Sequence, residues 1–521
     1  MDKKVLYYSG KCFNINLKGE KIMKSNSVKY SLKRGICIVL IAFLLLGQSA
    51  FAADAAEDQK NQEYLQSVID MIRDKYKGEL TDEKLVEGAL KGMLGSLDPY
   101  TTYYTPKEAD TFLGSITGVF GGIGVTLELS GDYVVVTKVF QVSPAEKAGI
   151  IQGDKIVEAD GKSLVKVMPE DAATLIKGSP GTKVKLGILR NGSNTVKYLE
   201  VAREIIKINP VTYEIRNGIG YIKLEMFNEN TDEYITKALA EMDSEKITKI
   251  VLDLRDNPGG EVGQAVLLAK RFVPKGLITK LDYKAEDYTD IEYNSDLENP
   301  KYKLAILVNG MSASASEIVS GAVQDTGAGK LVGTKTFGKA KFQGILPILT
   351  PEAFEKYSQQ TGIKSVNGYD LEAHGITPSK SEIAGYTKMT LGLYYTPKGR
   401  MIDGKGLTPD VPVADPKPVA DISVNSIQKL TMTTKTALNG QGTDVYNAEK
   451  LLKVLGYKIG DLDTTLDAKT ASALKEYQKA KKLTVNGILD FTTQNALNAE
   501  LLKLIAQYDT QYSAAVKTLN Q

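Results

Sequence analysis

Short apolar runs, glycine-containing turns and helix-period stripes alternate through the middle of the chain. Residues 304–308 are five consecutive apolar residues, a run typical of a buried strand, and Asn309-Gly310 predicts a turn directly after it. Apolar residues then recur at helical spacing over 318–323. A second unit of this kind starts with the apolar run from Lys249 to Leu254 and turns at 255–260. Two strand–turn–helix units predict a parallel sheet whose functional turns lie at the carboxyl ends of the strands.

Helix-period stripes precede these two units. Apolar residues recur every three or four positions over 57–112, and Asp82-Glu83 ahead of the second stripe predicts a helix start. From Gly114 to Arg203 the pattern changes to short alternating strands separated by glycine turns. We therefore expect an N-terminal helical segment over 53–112 and a separate β-rich domain over 113–203.

The C-terminal region returns to helical periodicity. The residues from Pro412 to Pro418 read PVADPKP and predict a linker. Beyond them a Leu-Asp-x-x-Thr string occurs twice, at 466–470 and 489–493, and each Asp is placed to cap a helix. This pattern predicts a small all-α domain over 421–521, tethered to the rest of the chain.

Residues 24–52 have the pattern of a secretory signal. Basic residues between Lys24 and Arg34 precede an apolar run over 36–46, and Ala50-Phe51-Ala52 fits the small-x-small cleavage rule. The run is short for a membrane span, and an uncleaved anchor is the open alternative. The n-region is unusually long, so Met23 is a candidate for the true start.

Composition and charge limit the kinds of partner that the protein is expected to bind. The chain is 42% hydrophobic and 25% charged, which is typical of a soluble protein. Its net charge of +2 arises in the leader, because residues 1–52 hold nine Lys/Arg against two Asp/Glu and leave about −5 for the remainder. Nothing here indicates a nucleic-acid partner. The two cysteines, Cys12 and Cys37, both lie in the leader, so the mature chain offers no thiol chemistry.

Three serines follow the 304–308 strand at alternate positions: Ser312, Ser314 and Ser316. A serine between a buried strand and a helix is well placed to act as a nucleophile, because N–H groups at the helix start can hold a developing oxyanion. The same small residues also allow strand, turn and helix to pack closely without any catalysis. The serines alone leave both interpretations open.

Histidine content decides which base could activate such a serine. The chain has one histidine, His374, in a polar segment, so it is the only candidate for a Ser-His-Asp triad. The remaining route is a neutral lysine, and Lys339 is flanked by Phe337, Phe342 and Ile345, which could form an apolar pocket. Lowering a lysine pKa from near 10.4 to about 7 costs roughly 4–5 kcal/mol, a shift that burial can produce. Thr336 and Gln343 have side chains that can orient the amine.

These residues resemble a known family. The carboxyl-terminal processing peptidases, or tail-specific proteases, are Ser-Lys endopeptidases with a Ser-Ala-Ser-Ala-Ser-Glu run, a Thr-Phe-Gly-Lys run about 25 residues on, and a Gln four places later. The same runs occur here at 312–317 and 336–339, with Gln343 in the last position. Ala340-Lys341 departs from the more usual Gly-Thr. The match is specific because several features agree in spacing across 40 residues.

The resemblance implies roles for individual residues. Ser314 is the implied nucleophile, Lys339 the general base and Gln343 its partner. A Leu-Arg-x-Asn-Pro-Gly-Gly string at 254–260 is the family's second signature, and implies an oxyanion hole built from Gly259, Gly260 and Ala315. The supporting residues implied by the match are Thr336, Glu317 and Asp325.

Two flanking regions resemble binding modules. The glycine-turn pattern of 113–203 is similar to a bacterial PDZ domain, which takes an extended peptide as an added strand and holds its terminal carboxylate on loop N–H groups. Those groups are expected near Gly122, Ile123 and Gly124; the alternative is that the glycines serve tight turns alone. Residues 421–521 resemble a three-helix peptidoglycan-binding domain, with a helical dimerisation or capping unit as the alternative.

Together these features predict a multidomain α/β protein with a β-rich PDZ domain, a crotonase-like α/β protease core over 204–420 and a small all-α C-terminal domain. The resemblance implies an extracytoplasmic serine endopeptidase that engages substrate C-terminal tails, at the cell envelope, and cleaves through an acyl-enzyme. A non-catalytic scaffold is the competing class. We expect no cofactor and no metal, since one His without cysteines cannot complete a site. Peptidoglycan and protein substrates are the expected partners, a homodimer is plausible, and 350–386 is an extra segment expected to form an exposed loop or lid.

Overall fold

The computed structural model describes residues 59–140, 142–190, 195–285 and 288–521, so the expected secretory signal and both cysteines lie outside the described residues. The chain divides into two compact units, one ending at Ser96 and one running from Leu97 to Gln521. In the first unit, residues 59–75 form helix α1 and Asp82–Gly95 form α2. The Thr81 hydroxyl accepts from the Lys84 N–H and caps α2, which begins where the sequence predicts.

A strand-rich region follows in the second unit, after strand β1 (Thr102–Tyr104) and helix α3 (Pro106–Thr117). Its main sheet has the order β3-β4-β5-β7-β8 with β6 beside β5, and β2 pairs separately with β9. Alternate side chains of these strands form a core of their own, distinct from the rest of the unit. The elements are β2 (Val119–Gly122), β3 (Val125–Ser130), β4 (Tyr133–Val139), α4 (Pro144–Lys147), β5 (Lys155–Ala159), β6 (Lys162–Ser163), α5 (Pro169–Ile176), β7 (Lys183–Leu189), β8 (Lys197–Ala202) and β9 (Glu204–Lys207).

A six-stranded sheet with the order β10-β11-β12-β15-β16-β19 forms the centre of the unit, and its pairs from β11 onward are parallel. The turns after β12 and β15 therefore lie at the same edge, as the sequence predicts. A second, antiparallel sheet has the order β1-β18-β13-β14, with β17 also on β18. The elements are β10 (Val211–Arg216), β11 (Ile219–Leu224), α6 (Thr231–Ser244), β12 (Lys249–Asp253), α7 (Val262–Ala269), β13 (Gly276–Tyr283), β14 (Ile291–Ser295), β15 (Lys303–Val308), α8 (Ala315–Thr326), β16 (Gly329–Gly333), β17 (Lys341–Leu349), β18 (Ile383–Tyr395) and β19 (Val411–Pro412).

Both faces of the six-stranded sheet are buried at its central strands β12 and β15, which explains why these two are mostly apolar. On β12, Ile250 and Leu252 belong to a core shared with α6, α7 and α8, whereas Val251 belongs to a core on the opposite face. That opposite core is completed by the C-terminal helices. They are α11 (Thr443–Val454), α12 (Ala468–Ala480), α13 (Phe491–Tyr508) and α14 (Thr510–Leu519).

The C-terminal region is thus more than a tethered module. Asp467 and Asp490 cap α12 and α13, as the repeated string predicts. The linker prediction is wrong at its start, because Val411–Pro412 form β19 in the central sheet and the next N–H, that of Val413, donates to Gly333. Helix α14 packs on that sheet, so the last helix is one of its covering layers.

The segment 350–386, expected to be an exposed loop or lid, is not an irregular loop, and a lid role stays a prediction. It contains α9 (Pro351–Thr361), α10 (Gly368–Glu372) and a 3-10 turn at Lys380–Glu382. Leu349, Ala353, Tyr357 and Leu371 form a small core of their own beneath it. The polar composition of α9 obscured its few apolar positions in the sequence.

Candidate active site

Ser314 lies between β15 and α8, and its backbone conformation is unusual. It is the N-cap of α8 with φ 54° and ψ −115°, a region that residues other than glycine rarely adopt. Strain of this kind persists only where surrounding contacts hold it, and it is common at functional sites. The Ala315 N–H that follows has no acceptor among the hydrogen bonds of the described residues. The helix start therefore presents a partly exposed hydroxyl beside an available donor.

The alternate spacing of the serines has a structural explanation. Ser312 Oγ donates to the Leu254 carbonyl at 2.7 Å, and Ser316 Oγ donates to the Asn257 carbonyl at 2.9 Å. Both outer serines are fully buried. They join the turn after β15 to the turn after β12, and the middle serine stands between the two anchors.

The turn after β12 approaches Ser314 so closely that it requires glycine. A Cβ on Gly259, whose φ is 103°, would lie 2.8 Å from Ser314 Cβ and 2.9 Å from the Ala315 nitrogen. A Cβ on Gly260, whose φ is 139°, would lie 2.1 Å from the Phe227 carbonyl oxygen. The Gly259 N–H donates to Asn257 Oδ1 at 2.9 Å, while the Gly260 N–H has no recorded acceptor in the described part of the chain.

Glu317 connects the two segments of the candidate site through hydrogen bonds. Its carboxylate is fully buried and accepts four hydrogen bonds: from Thr336 Oγ1 (2.6 Å) and the N–H groups of Gly338 (2.8 Å), Lys339 (2.9 Å) and Ser314 (3.0 Å). Burial raises the pKa of this carboxyl, and the hydrogen bonds oppose that shift. One side chain thereby fixes the backbones of both Ser314 and Lys339.

Lys339 is half-buried and faces aromatic and amide groups. Its Nζ donates to Gln343 Oε1 at 2.9 Å and lies 4.5 Å from the centre of the Tyr100 ring. Burial first, and the charge of Lys388 second, lower the pKa of Lys339, while the carboxylates of Asp98, Asp403 and Glu317 partly oppose this. A hydrogen bond from Lys339 to Ser314 Oγ is not among those of the described residues; catalytic contacts often tighten only with substrate bound.

The amide of Gln343 is itself held in place. Its Nε2 donates to the Lys341 carbonyl and to Thr390 Oγ1, each at 3.2 Å, so the oxygen is directed at Lys339. An amide acceptor orients a lysine without giving it a counter-ion, which would favour the charged form. Gln343 is thus in contact with the amine, and its orienting role stays a prediction.

The expectation that Phe337, Phe342 and Ile345 form an apolar pocket around Lys339 is wrong for the two phenylalanines. Phe337 is 53% exposed and Phe342 packs in the main core, so they do not form a pocket around the amine. Tyr100, from a distant part of the chain, lies there instead. The sequence contains no local signal for this contact.

Sequence reasoning also missed Tyr394. Its hydroxyl lies 2.6 Å from the Lys339 carbonyl oxygen and 3.1 Å from that of Ser314, so its single proton can be donated to either. The side chain is 1% exposed, and burial raises its pKa well above the usual range. Tyr394 is therefore neutral, and its hydroxyl lies between the backbone carbonyls of Lys339 and Ser314. The only signal was a polar aromatic residue within an apolar strand.

Of the other two supporting residues, Thr336 lies beside Glu317 and Asp325 lies away from Ser314. Thr336 Oγ1 donates to Glu317 and accepts from the Leu407 N–H at 2.7 Å, so it belongs to the hydrogen-bond network of Glu317. Asp325 lies at the far end of α8, about 16 Å along the helix axis from Ser314. It pairs with Arg400 at 2.6 Å and accepts from the Lys398 N–H, so it holds a distant turn.

His374 is exposed at the end of α10, where its Nδ1 lies 2.8 Å from the Asp370 carbonyl oxygen. The residues around Ser314 described above include no imidazole. The recorded hydrogen bond of His374 lies within the segment that follows β17, and none of those described above for Ser314, Glu317 and Lys339 involves it.

The expected peptide-binding loop lies at the start of β3, an edge strand flanked by α5. Gly122 ends β2, Ile123 is buried, and Gly124 has φ 81°. The carbonyls of Ile123 and Gly124 accept from Ala145 and Phe140, but their N–H groups have no recorded acceptor within the described part of the chain. An open strand edge beside available N–H groups suits an added peptide strand.

Family models match four parts of the chain. The model of peptidase family S41 matches residues 218–413. A PDZ domain model matches 121–201, and a peptidoglycan binding domain model matches 441–497. The model of the activating protease CtpB N-terminal domain matches 47–108.

Whole-chain similarities agree with these matches. The chain is 32% identical over 483 residues to the carboxy-terminal processing protease CtpA of Bacillus subtilis, covering 92% of this chain and 93% of that protein. It is 30% identical over 492 residues to a CtpA-like serine protease of Staphylococcus saprophyticus, covering 93% and 91%. Among solved structures, the photosystem II D1 C-terminal processing protease is 26% identical, covering 65% of this chain and 84% of that one, with a TM-score of 0.37.

Proposed function

The chain belongs to the carboxy-terminal processing proteases, serine-type enzymes with a peptidase family S41 domain, and from this premise we propose that it is an extracytoplasmic Ser-Lys endopeptidase acting on substrate tails. The non-catalytic scaffold is therefore not retained. The observation that carries the Ser-Lys assignment is the Glu317 carboxylate, which binds the N–H groups of both Ser314 and Lys339. We also assign the protease core to the crotonase-like class on its parallel central sheet; an experimental structure that did not superpose on that class would contradict this.

The proposed first step is attack by Ser314 Oγ on the scissile carbonyl. Neutral Lys339, its pKa lowered chiefly by burial, accepts the hydroxyl proton. Negative charge develops on the carbonyl oxygen, where the available N–H groups of Ala315 and Gly260 are placed to stabilise it, while Gly259 supports the turn through Asn257.

Collapse of the tetrahedral intermediate then breaks the peptide bond. The Lys339 ammonium returns the proton to the leaving amine, and the acyl group stays on Ser314 as an ester. Water attacks this ester and Lys339 accepts its proton. The Lys339 ammonium then returns that proton to Ser314 Oγ as the ester C–O bond breaks, which releases the new C-terminus of the product and restores the free hydroxyl and the neutral amine. The contact of Lys339 with Gln343 keeps the amine oriented through both halves.

We propose that the PDZ domain selects substrates by their free C-terminal carboxylate. A peptide with an apolar C-terminus is expected to bind fragment 113–203, which has its own core, at least about tenfold tighter than the same peptide amidated. A carboxylate held by several N–H groups contributes roughly 1.5–3 kcal/mol, and the amide lacks that charge. Calorimetric titration of the two peptides measures the ratio. Equal affinities would mean that the domain reads internal segments instead.

We propose that peptidoglycan is a partner of the C-terminal region, on the basis of the peptidoglycan binding domain match over 441–497. The full chain carrying Ser314→Ala is expected to sediment with purified insoluble peptidoglycan and not with chitin of equal mass. The full chain is used because α14 covers the protease sheet, so removing 421–521 would expose an apolar face. Sedimentation with neither polymer, or equally with both, would remove this proposal.

A cell-envelope location follows from the same domain match and from relatives that are CtpA-like proteases. We propose export through the signal at 24–52, which predicts a mature protein beginning after Ala52. No helix among the described residues has the length and apolar character needed to cross a bilayer. N-terminal sequencing of the exported protein tests the cleavage site, and an intact leader would indicate an anchor.

A homodimer stays a prediction, and the first unit is where we place it. Its helices and the segment between them leave large apolar side chains more than half exposed: Tyr64, Leu65, Met71, Tyr76 and Met93. A second copy of the same helices would bury them. Light scattering is expected to report twice the chain mass, and the mass of one chain would contradict the pairing.

A further inference from the structure

Arg255, the first residue of the turn that carries Gly259 and Gly260, has a buried guanidinium with several carboxylate partners. Its Nε and one terminal nitrogen donate to the Asp253 carboxylate on β12, at 2.9 and 2.5 Å. Its two terminal nitrogens donate to the two oxygens of Asp509, both at 2.9 Å, and one also donates to Gln511 Oε1 at 3.1 Å. Asp509 and Gln511 come from the C-terminal helices, more than 250 residues away along the chain.

The C-terminal partners are rigidly placed. Asp509 is 1% exposed and caps α14 by accepting from the Tyr512 N–H at 2.9 Å. Gln511 is fully buried and donates to the Val413 carbonyl and to Asp415, at 3.1 and 2.8 Å. Tyr512 packs edge-on against Tyr221 of β11 at 5.8 Å. These contacts fix the α13–α14 junction against the central sheet.

The turn that begins at Arg255 is joined to the nucleophile turn at several points. The Asp256 N–H donates to Asn309 Oδ1, and Asn309 Nδ2 donates back to Asp256. The Ala313 N–H donates to the Asn257 carbonyl at 3.1 Å. A shift of Arg255 would therefore move both the oxyanion glycines and the segment leading to Ser314.

We propose that Asp509 is a positioning residue for proteolysis, because by pairing with Arg255 it sets the turn at 254–260 against Ser314. The C-terminal segment beyond the peptidoglycan binding match at 441–497 is then part of the active-site scaffold. The carboxylates of Asp253 and Asp509 share the guanidinium of Arg255. Its planar, forked arrangement of donors fixes the orientation of both carboxylates in addition to neutralising charge. This inference rests on the proposed Ser314–Lys339 chemistry.

The test is Asp509→Asn, which keeps the shape of the side chain and removes its charge. Because oxyanion stabilisation depends on donor placement within about 1 Å, kcat on a soluble peptide is expected to fall about 10- to 100-fold. KM is expected to change less than about twofold, since the turn acts on the transition state. The Ki of a peptide aldehyde, whose hemiacetal oxygen occupies the oxyanion position, is expected to rise by the same factor as kcat falls.

Ground-state binding separates positioning from general loss of structure. In a Ser314→Ala background, uncleaved substrate peptide is expected to bind equally well with and without the Asp509→Asn substitution. The matched control is Glu500→Gln, which removes a carboxylate that pairs with Lys481 and Lys503 within the same C-terminal region. Glu500→Gln is expected to leave kcat and the aldehyde Ki unchanged.

An Asp509→Asn enzyme with unaltered kcat and aldehyde affinity, or one whose losses equal those of Glu500→Gln, would overturn the proposal. If Asp509→Asn does not fold, Gln511→Met removes one bond to the same guanidinium together with the bonds of Gln511 to Val413 and Asp415. A roughly threefold fall in kcat at constant KM is expected, and no fall would overturn the proposal too. A wild-type activity that survives Ser314→Ala would instead refute the proposed function itself.

Discussion

Replacing Lys339 with methionine, or Ser314 with alanine, is expected to lower cleavage of a soluble peptide by at least about 10³-fold while the protein stays folded. Methionine keeps the chain length that packs against Tyr100 and removes only the amine. No second base replaces it, because the one histidine is exposed in the turn after α10. Initial rates, with circular dichroism melts to verify folding, measure the effect.

His374→Ala is the control for this assignment. His374→Ala is expected to leave the rate within a few-fold, since its ring contacts only the Asp370 carbonyl in the described hydrogen bonds. Activity lost on His374→Ala and retained in Lys339→Met would reject the Ser-Lys dyad.

The pH dependence follows from the direction of the Lys339 shift. The pKa of Lys339 lies below its ordinary value because of burial and then the charge of Lys388, so the rate is expected to rise with pH until the amine is neutral. Lys388→Met removes the second cause, which raises the pKa of Lys339 and moves the profile to higher pH. A profile that is flat, or that moves to lower pH in Lys388→Met, would contradict a lysine base.

Glu317→Gln is expected to reduce activity by about 10²-fold or more and to lower the free energy of unfolding by about 2–4 kcal/mol. The carboxylate accepts four hydrogen bonds, and the amide of glutamine would point an N–H at one pair of these donors. Ser314 and Lys339 then lose their common anchor. Peptide cleavage rates measured well below the melting temperature give the loss of activity, and urea unfolding gives the loss of stability.

Glu449→Gln is the matched control for this prediction. Glu449 is also buried, accepts from a threonine hydroxyl and a backbone N–H, and burial raises its pKa to about 7. It lies on α11, remote from Ser314. We expect Glu449→Gln to leave the peptide cleavage rate unchanged. Equal losses of activity in the two variants would mean that Glu317 has only a structural role.

The sequence by itself determined the order of structural classes along the chain. Apolar runs ending in Asn-Gly and Asn-Pro-Gly-Gly predicted two strands and their turns, because backbone geometry after a buried strand is a local property. The starts of α2, α12 and α13 were also predicted, since an N-cap depends on neighbouring residues only.

The resemblance of the motifs to a known family also selected Ser314, Lys339 and Gln343 as candidates. One of their contacts is local, because Gln343 lies only four residues after Lys339 and accepts a hydrogen bond from its amine. Local pattern could not give the surroundings of the amine. Phe337 is adjacent in sequence yet turns to solvent, while Tyr100 reaches Lys339 from more than 200 residues away.

Only the tertiary structure decided which groups hold the candidate site in place. The outer serines, Tyr394 and the Arg255–Asp509 pair act between segments that are far apart in the chain. Hydrogen bonds and ion pairs are short-ranged and directional, so their partners are fixed by how sheets and helices pack rather than by sequence proximity. For the same reason the C-terminal helices were predicted as helices but not as a layer over the protease sheet.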